Sequence, residues 1–112
     1  MIEVFIGSGF GGVLRYLISI VSSKIFAQSW PGTLMVNVLG ALLIVFITQK
    51  YLNLNPQLHR LAIIGFLGGF TTYSSFSLEV FEKINQGEFL MGGALIFLNI
   101  FLGVIMGVLI FR

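Results

Sequence analysis

Apolar residues form four long runs along this chain, separated by three short polar connections. The runs cover residues 4–27, 33–51, 61–81 and 89–111. Each is close to the ~20 residues that a helix needs to cross the hydrocarbon core of a bilayer. The connections hold turn-forming residues such as Pro31, Pro56 and Gly87. The pattern predicts an all-α membrane protein, with one transmembrane domain of four helices over residues 1–112.

The third run contains a polar stretch, which is GFLGGFTTYSSFS over residues 65–77. Three glycines and five Ser or Thr residues replace the leucines of a plain lipid anchor there. Glycine costs ~1 kcal/mol against alanine in a helix, and threonine is stiff at its first torsion. We therefore predict that the third helix breaks between Gly68 and Thr72 and resumes near Tyr73. The alternative is a continuous packing helix whose hydroxyls bond to their own backbone.

A break at membrane depth frees backbone groups, which are tolerated only where they bind an ion or line a cavity. Helical spacing after the break gives two neighbouring faces, one with Tyr73, Phe76, Ser77 and Val80 and the other with Thr72, Ser75 and Glu79. Hydroxyls donate hydrogen bonds, and ring edges are the positive part of the aromatic quadrupole. The combination suits a small anion.

Among the other polar side chains inside the apolar runs, three are candidates for a functional role. Arg15 is about halfway along the first run, where a guanidinium either contacts an ion or joins helices through backbone carbonyls. Asn37 and Asn99 either cross-link helices or donate to a ligand, and the sequence leaves both roles open. Small residues at four-residue spacing, such as Gly7 with Gly11, predict a tightly packed bundle that forms an oligomer.

Composition agrees with a membrane protein, since 57% of the residues are hydrophobic, 9% are charged and the mean hydropathy is +1.05. The six Lys and Arg are too few and too scattered for a nucleic-acid partner. Without cysteine there are no disulfides or thiolate metal sites. No nucleophile with a paired base is visible, so we expect no enzymatic activity.

Charges at the ends of the runs give little bias in orientation. Four spans place both termini on one side, together with Lys50, Arg60 and Arg112, whereas Lys24 and Lys83 lie on the other side. A difference of three against two is a weak signal under the positive-inside rule. Insertion in both orientations and insertion in one fixed orientation both stay open.

Three motifs together resemble the small bacterial and archaeal fluoride channels called Fluc or CrcB: GGVLRY at 11–16, GTLMVN at 32–37 and GFLGGFTTYSSFS at 65–77. The resemblance extends over the whole chain. It implies a passive fluoride-selective channel of the cell membrane that exports cytoplasmic fluoride and protects against its toxicity. It also implies an antiparallel, dual-topology dimer with two pores and one central structural sodium ion.

The resemblance further implies roles for single residues. Sodium would be held by the backbone carbonyls of Gly68 and Thr71. The fluoride pathway would run along Asn37, Tyr73, Ser74, Ser75, Phe76, Ser77 and Glu79, with Arg15 near the pore entrance. Tyr73 departs from the family pattern, which has phenylalanine at this position, and its hydroxyl either adds a donor or obstructs the path.

Three alternatives stay open. The chain could be one subunit of a heterodimeric fluoride channel in which one pore is degenerate. A small multidrug exporter also has four short helices, but cation export needs a carboxylate in mid-membrane, and the first three runs show none. A non-transporting assembly subunit would use its glycine faces for packing alone.

Overall fold

The computed structural model describes residues 1–51 and 53–111, which fold into helices with no strand among them. The helices are α1 (Ile2–Phe26), α2 (Trp30–Lys50), α3 (56–70), α4 (Tyr73–Asn85) and α5 (Phe89–Phe111). Residues Arg60–Leu67 of α3 and Leu98–Leu102 of α5 are wound as π-helix. Since α3 and α4 form one interrupted span, the predicted four-span membrane protein is confirmed.

The helix ends follow from local capping. The third span begins at Pro56 rather than at 61, because the Asn55 side chain accepts the N–H of Leu58 at 2.7 Å and proline suits the first helical position. Trp30, rather than Thr33, begins α2, and Pro31 lies in its first turn. Arg112, which the charge count placed beside the termini, lies outside the described residues.

The interruption of the third span is shorter than predicted. Only Thr71 (φ −85°, ψ 157°) and Thr72 (φ −147°, ψ 122°) are extended. The prediction of a break over the whole of 68–72 was wrong, because Gly68–Phe70 is helical. The Thr72 hydroxyl accepts the N–H of Ser75 at 3.2 Å and so caps α4. The β-branched threonines, not the glycines, therefore form the break.

The glycines serve the packing of α1 against α3. A Cβ on Gly11 would collide with the carbonyl of Phe66 and lie 2.8 Å from the amide nitrogen of Phe70. A Cβ on Gly69 would lie 2.5 Å from the carbonyl oxygen of Ser8. The two backbones are thus in direct contact, as the four-residue spacing of small residues predicted.

The remaining helices pack through smaller contacts. A small core of Phe76, Val80 and Leu95 joins α4 to α5, and Gly103 of α5 faces Ala41 of α2. Most of the apolar side chains on the outer faces are exposed in the single chain, for example Phe5 and Leu109. In a bilayer such faces contact lipid or another protein chain.

We expect Gly11→Ala to lower the melting temperature of the purified protein in detergent, because its new Cβ meets backbone atoms that cannot rotate away. Overpacking of this kind costs roughly 1–3 kcal/mol. Gly9→Ala is the matched control, since nothing lies within 4 Å of a Cβ at that position in the same helix. Equal melting temperatures for the two variants would contradict the close contact.

Candidate functional site

The site is built around the side chain of Asn37, which reaches from α2 to the break in the third span. Its Oδ1 accepts the backbone N–H of Thr72 at 2.8 Å. Its Nδ2 donates to the carbonyl of Thr72 at 3.0 Å and to Oδ1 of Asn99 at 2.8 Å. A peptide N–H can only donate, so the orientation of this amide is unambiguous. The sequence left two roles open for Asn37. In the structure this side chain cross-links α2 to the break and to Asn99.

Asn99 extends this network into α5. It is the only polar side chain of Phe89–Phe111, and it lies in the π-helical segment Leu98–Leu102. Its Nδ2 donates to the carbonyl of Leu95 at 3.0 Å. The sequence left open whether Asn99 cross-links helices or donates to a ligand and did not include it among the predicted site residues; the structure shows the cross-link.

A cavity of about 250 Å³ opens at the break. It is lined by Asn37, Thr71, Thr72, Tyr73, Phe76, Asn99 and Ile100. The rings of Tyr73 and Phe76 meet edge to face, with centroids 5.7 Å apart and planes at 65°. Phe76 is 7% exposed, whereas Tyr73 is 79% exposed. Amide, hydroxyl and aromatic groups thus converge on one space, and no charged residue is among those that line it.

Thr72 also organises the hydroxyls at the start of α4. Its Oγ1 lies 3.2 Å from Oγ of Ser75 and 3.3 Å from Oγ of Ser74. Ser74 is exposed and Ser75 is half-buried. Ser77 is also half-buried, and within the described part of the chain its hydroxyl has no hydrogen-bond partner. Of the three predicted serines, Ser74 and Ser75 therefore lie within hydrogen-bond distance of the Thr72 hydroxyl, and Ser77 does not.

Glu79 lies further along α4 and is 7% exposed. Its Oε2 accepts hydrogen bonds from the hydroxyls of Ser29 at 2.7 Å and Thr33 at 2.8 Å. Thr33 is one helical turn before Asn37, so α2 presents both side chains to α4. Neither Ser29 nor Thr33 is among the site residues predicted from the sequence. The four-residue spacing of Thr33 and Asn37 was the available signal.

Beyond Glu79, a polar cavity of about 270 Å³ lies at the end of the bundle. Gln28 and Glu82 are among the residues that line it, with Lys83, whose Nζ donates to Gln28 at 2.9 Å and pairs with Glu88 at 3.1 Å. Polar groups therefore continue from the break to the end of the bundle.

Arg15 approaches the break from the side of α1. Its Nε donates to the carbonyl of Gly69 at 3.0 Å. It does not line the cavity at Asn37. The guanidinium therefore joins α1 to the first half of the broken span, whereas Asn37 joins α2 to its second half.

Gly68 and Thr71 line a separate cleft of about 310 Å³ together with Asn37, Gly40, Ala41, Ile44, Ile63 and Leu67. Gly68 is exposed, and nothing lies within 4 Å of a Cβ placed on it. In the described ranges we find no hydrogen-bond donor for the carbonyl oxygen of either residue outside regular helix. Such oxygens at the end of a half-helix are typical ligands of small monovalent cations.

Comparison with a family model and with single known proteins identifies the same family. The family model described as CrcB-like protein, Camphor Resistance (CrcB), matches residues 2–111. The fluoride-specific ion channel FluC of Coxiella burnetii (strain CbuK_Q154) is 42% identical over 118 residues, covering 97% of this chain and 94% of that protein.

Two further organisms have similar proteins with the same name. The FluC of Hydrogenobaculum sp. (strain Y04AAS1) is 41% identical over 93 residues, covering 80% of this chain and 75% of that protein. The FluC of Shewanella sp. (strain ANA-3) is 37% identical over 103 residues, covering 89% and 83%.

We expect Thr33→Val to lower the melting temperature, because it removes one donor to the buried carboxyl group of Glu79 while keeping the shape of the side chain. An interhelical hydrogen bond of this kind contributes about 0.6 kcal/mol on average and up to ~2 kcal/mol. Thr48→Val is the control, since the exposed Thr48 hydroxyl bonds only to the backbone of its own helix. If both variants melt at the same temperature, the contact does not stabilise the fold.

Proposed function

Because this chain belongs to the CrcB family, we propose that it is a passive, fluoride-selective channel through which cytoplasmic fluoride leaves the cell. Such a channel protects the cell from fluoride toxicity. The relatives that cover most of the chain are named fluoride-specific ion channels. The observation that carries the proposal is the cavity at the break, where amide and hydroxyl groups converge with two aromatic rings.

The chemistry of this lining suits fluoride. A small, hard anion loses a strongly bound hydration shell when it enters a narrow path, and the path must replace those hydrogen bonds. Hydroxyls and ring edges can do so without a fixed positive charge, which would bind the ion too tightly for it to leave. A narrow path of this kind disfavours larger anions such as chloride.

We place the path along α4. The ring edges of Tyr73 and Phe76 face the ion, and the hydroxyls of Ser74, Ser75 and Ser77 supply donors. The path ends near Glu79, and the positive charge of Arg15 attracts anions to the entrance. Asn37 borders this path, but both hydrogens of its amide are engaged by Thr72 and Asn99. Its contribution is therefore to hold the path open.

We also propose that a second chain, antiparallel to the first, covers the exposed side of the break. The high exposure of Tyr73 and the open cleft at Gly68 support this arrangement. The partner is a second copy inserted in the opposite orientation, or a related chain in a heterodimer. Lipid covers the remaining apolar faces.

A sodium ion fits the cleft at the centre of such a dimer. The carbonyl oxygens of Gly68 and Thr71, which lack hydrogen-bond donors in the described structure, would hold it. Oxygen ligands without formal charge suit a monovalent hard cation. The bound ion would neutralise the negative ends of two half-helices and stabilise the dimer.

The exporter alternative is less well supported. The buried carboxyl group of Glu79 is bound by Ser29, which precedes α2, and so lies toward the end of the bundle. A proton-coupled exporter of cations needs such a group near mid-membrane. The family membership favours the fluoride channel.

The purified chain in liposomes should pass fluoride and exclude chloride, as measured by ion-selective electrodes after potassium efflux is opened with valinomycin. Flux only after co-expression with a related chain would indicate the heterodimer. Equal chloride flux, or no fluoride flux with any partner, would contradict the proposal.

Phe76→Ile should reduce fluoride flux about tenfold or more, since an aliphatic side chain has no positive ring edge to face the anion. Dimer formation should survive, because isoleucine still fills the apolar contact with Val80 and Leu95. The matched control is Phe81→Ile on the exposed face of the same helix, which should conduct like the wild type. Wild-type flux in Phe76→Ile would remove this ring from the path.

A further inference from the structure

The backbone at the break shows which carbonyl oxygens are released and what releases them. In an uninterrupted α-helix the N–H of Thr72 would donate to Gly68, and that of Ser75 to Thr71. Instead, Thr72 donates to the side chain of Asn37, and Ser75 donates to the hydroxyl of Thr72. Two side chains therefore take the donors that Gly68 and Thr71 would otherwise have.

Gly69 lies between Gly68 and Thr71, but its carbonyl does have a hydrogen-bond donor. Its oxygen accepts the Nε–H of Arg15 at 3.0 Å. The carbonyl of Leu67 accepts both the N–H and the hydroxyl of Thr71, each at 3.0 Å. In the described structure the carbonyls of Leu67 and Gly69 thus have donors from around the break, whereas those of Gly68 and Thr71 have none outside regular helix.

The bond from Thr72 to Asn37 depends in turn on Asn99. The carbonyl of Leu95 can only accept, so the atom of Asn99 that faces it is the nitrogen, and Oδ1 faces Asn37. This oxygen holds one hydrogen of the Asn37 amide and turns its Oδ1 toward Thr72. The wider turn of the π-helix at Leu98–Leu102 is a feature often found at functional positions.

We propose that Asn37, oriented by Asn99, is a positioning residue that withdraws the Thr72 N–H from the Gly68 carbonyl and so sets the cation affinity of the cleft. The inference rests on the sodium site of the proposed function. It gives the amide pair a role at the break that is separate from contact with fluoride.

An apolar residue at position 37 would change the hydrogen bonding of the Thr72 backbone. The Thr72 N–H would lose its acceptor in a region without water, where an unpaired amide is costly. In a continuous α-helix its acceptor would be the carbonyl of Gly68, four residues earlier. We expect the N–H to return there, which extends α3 by a residue and removes one ligand from the cation.

The test measures sodium binding by the purified full-length chain, with N-methylglucamine keeping the ionic strength constant. Bound ²²Na⁺ and the melting temperature are followed as sodium is titrated. Asn37→Leu should raise the half-saturating sodium concentration about tenfold or more, the change expected when one interaction of hydrogen-bond strength is lost. Asn99→Leu should raise it by a smaller factor, and Thr48→Val should leave it unchanged.

Asn37→Asp distinguishes a role of Asn37 in positioning the Thr72 N–H from a general contribution of Asn37 to the stability of the bundle. The carboxylate still accepts the Thr72 N–H, but it cannot donate to Thr72 or Asn99. We therefore expect this variant to melt at a lower temperature while its half-saturating sodium concentration does not rise. A residue that only stabilises the bundle would show both losses together, and that result would overturn the inference.

A wild-type half-saturating sodium concentration in Asn37→Leu would also overturn it. If Asn37→Leu does not assemble, Asn99→Leu decides: weaker sodium binding supports the inference, and unchanged binding contradicts it. Fluoride flux of the wild type is measured on the same preparation. Sodium binding without flux refutes the channel alone, whereas flux without sodium binding refutes the sodium site and the positioning role but not the channel.

Discussion

The structure depends on the hydrogen bonds between the Asn37 side chain and the backbone of Thr72. A bilayer offers no water to a peptide group, so a helix can be interrupted at membrane depth only if something replaces its lost backbone partners. Asn37 replaces both partners of one residue, since it accepts the Thr72 N–H and donates to the Thr72 carbonyl. The cavity on one side of the break and the cleft on the other both follow from this substitution.

The other helices hold the break in place. The glycines of α1 bring its backbone against α3, and this contact lets Arg15 reach the carbonyl of Gly69. Asn99 supports Asn37 from α5. Interhelical hydrogen bonds in membranes are individually modest, averaging about 0.6 kcal/mol and reaching ~2 kcal/mol. Stability of the break therefore requires several of them, which agrees with anchors from three different helices.

The same arrangement explains how one short chain can offer one site that attracts cations and another that attracts anions. Carbonyl oxygens that are freed at the end of α3 attract cations, whereas hydroxyls and ring edges at the start of α4 attract anions. Thr71 and Thr72, the two extended residues, lie between α3 and α4. Tyr73, at the first position of α4, is the residue that a partner chain would have to cover for the anion side to become a closed path.

The sequence by itself determined the local features. The apolar runs defined four spans, the glycines and threonines of 68–72 marked the break, and the paired glycines indicated close packing, because each depends on residues near in sequence. It did not determine the extent of the break, since glycine is compatible with a helix when close packing requires it. Nor did it show that Arg15 bonds to Gly69, Asn37 to Asn99 and Glu79 to Thr33, which are 46 to 62 residues apart. The tertiary structure decided these pairings, because helical periodicity shows which residues share a face but not which helix that face meets.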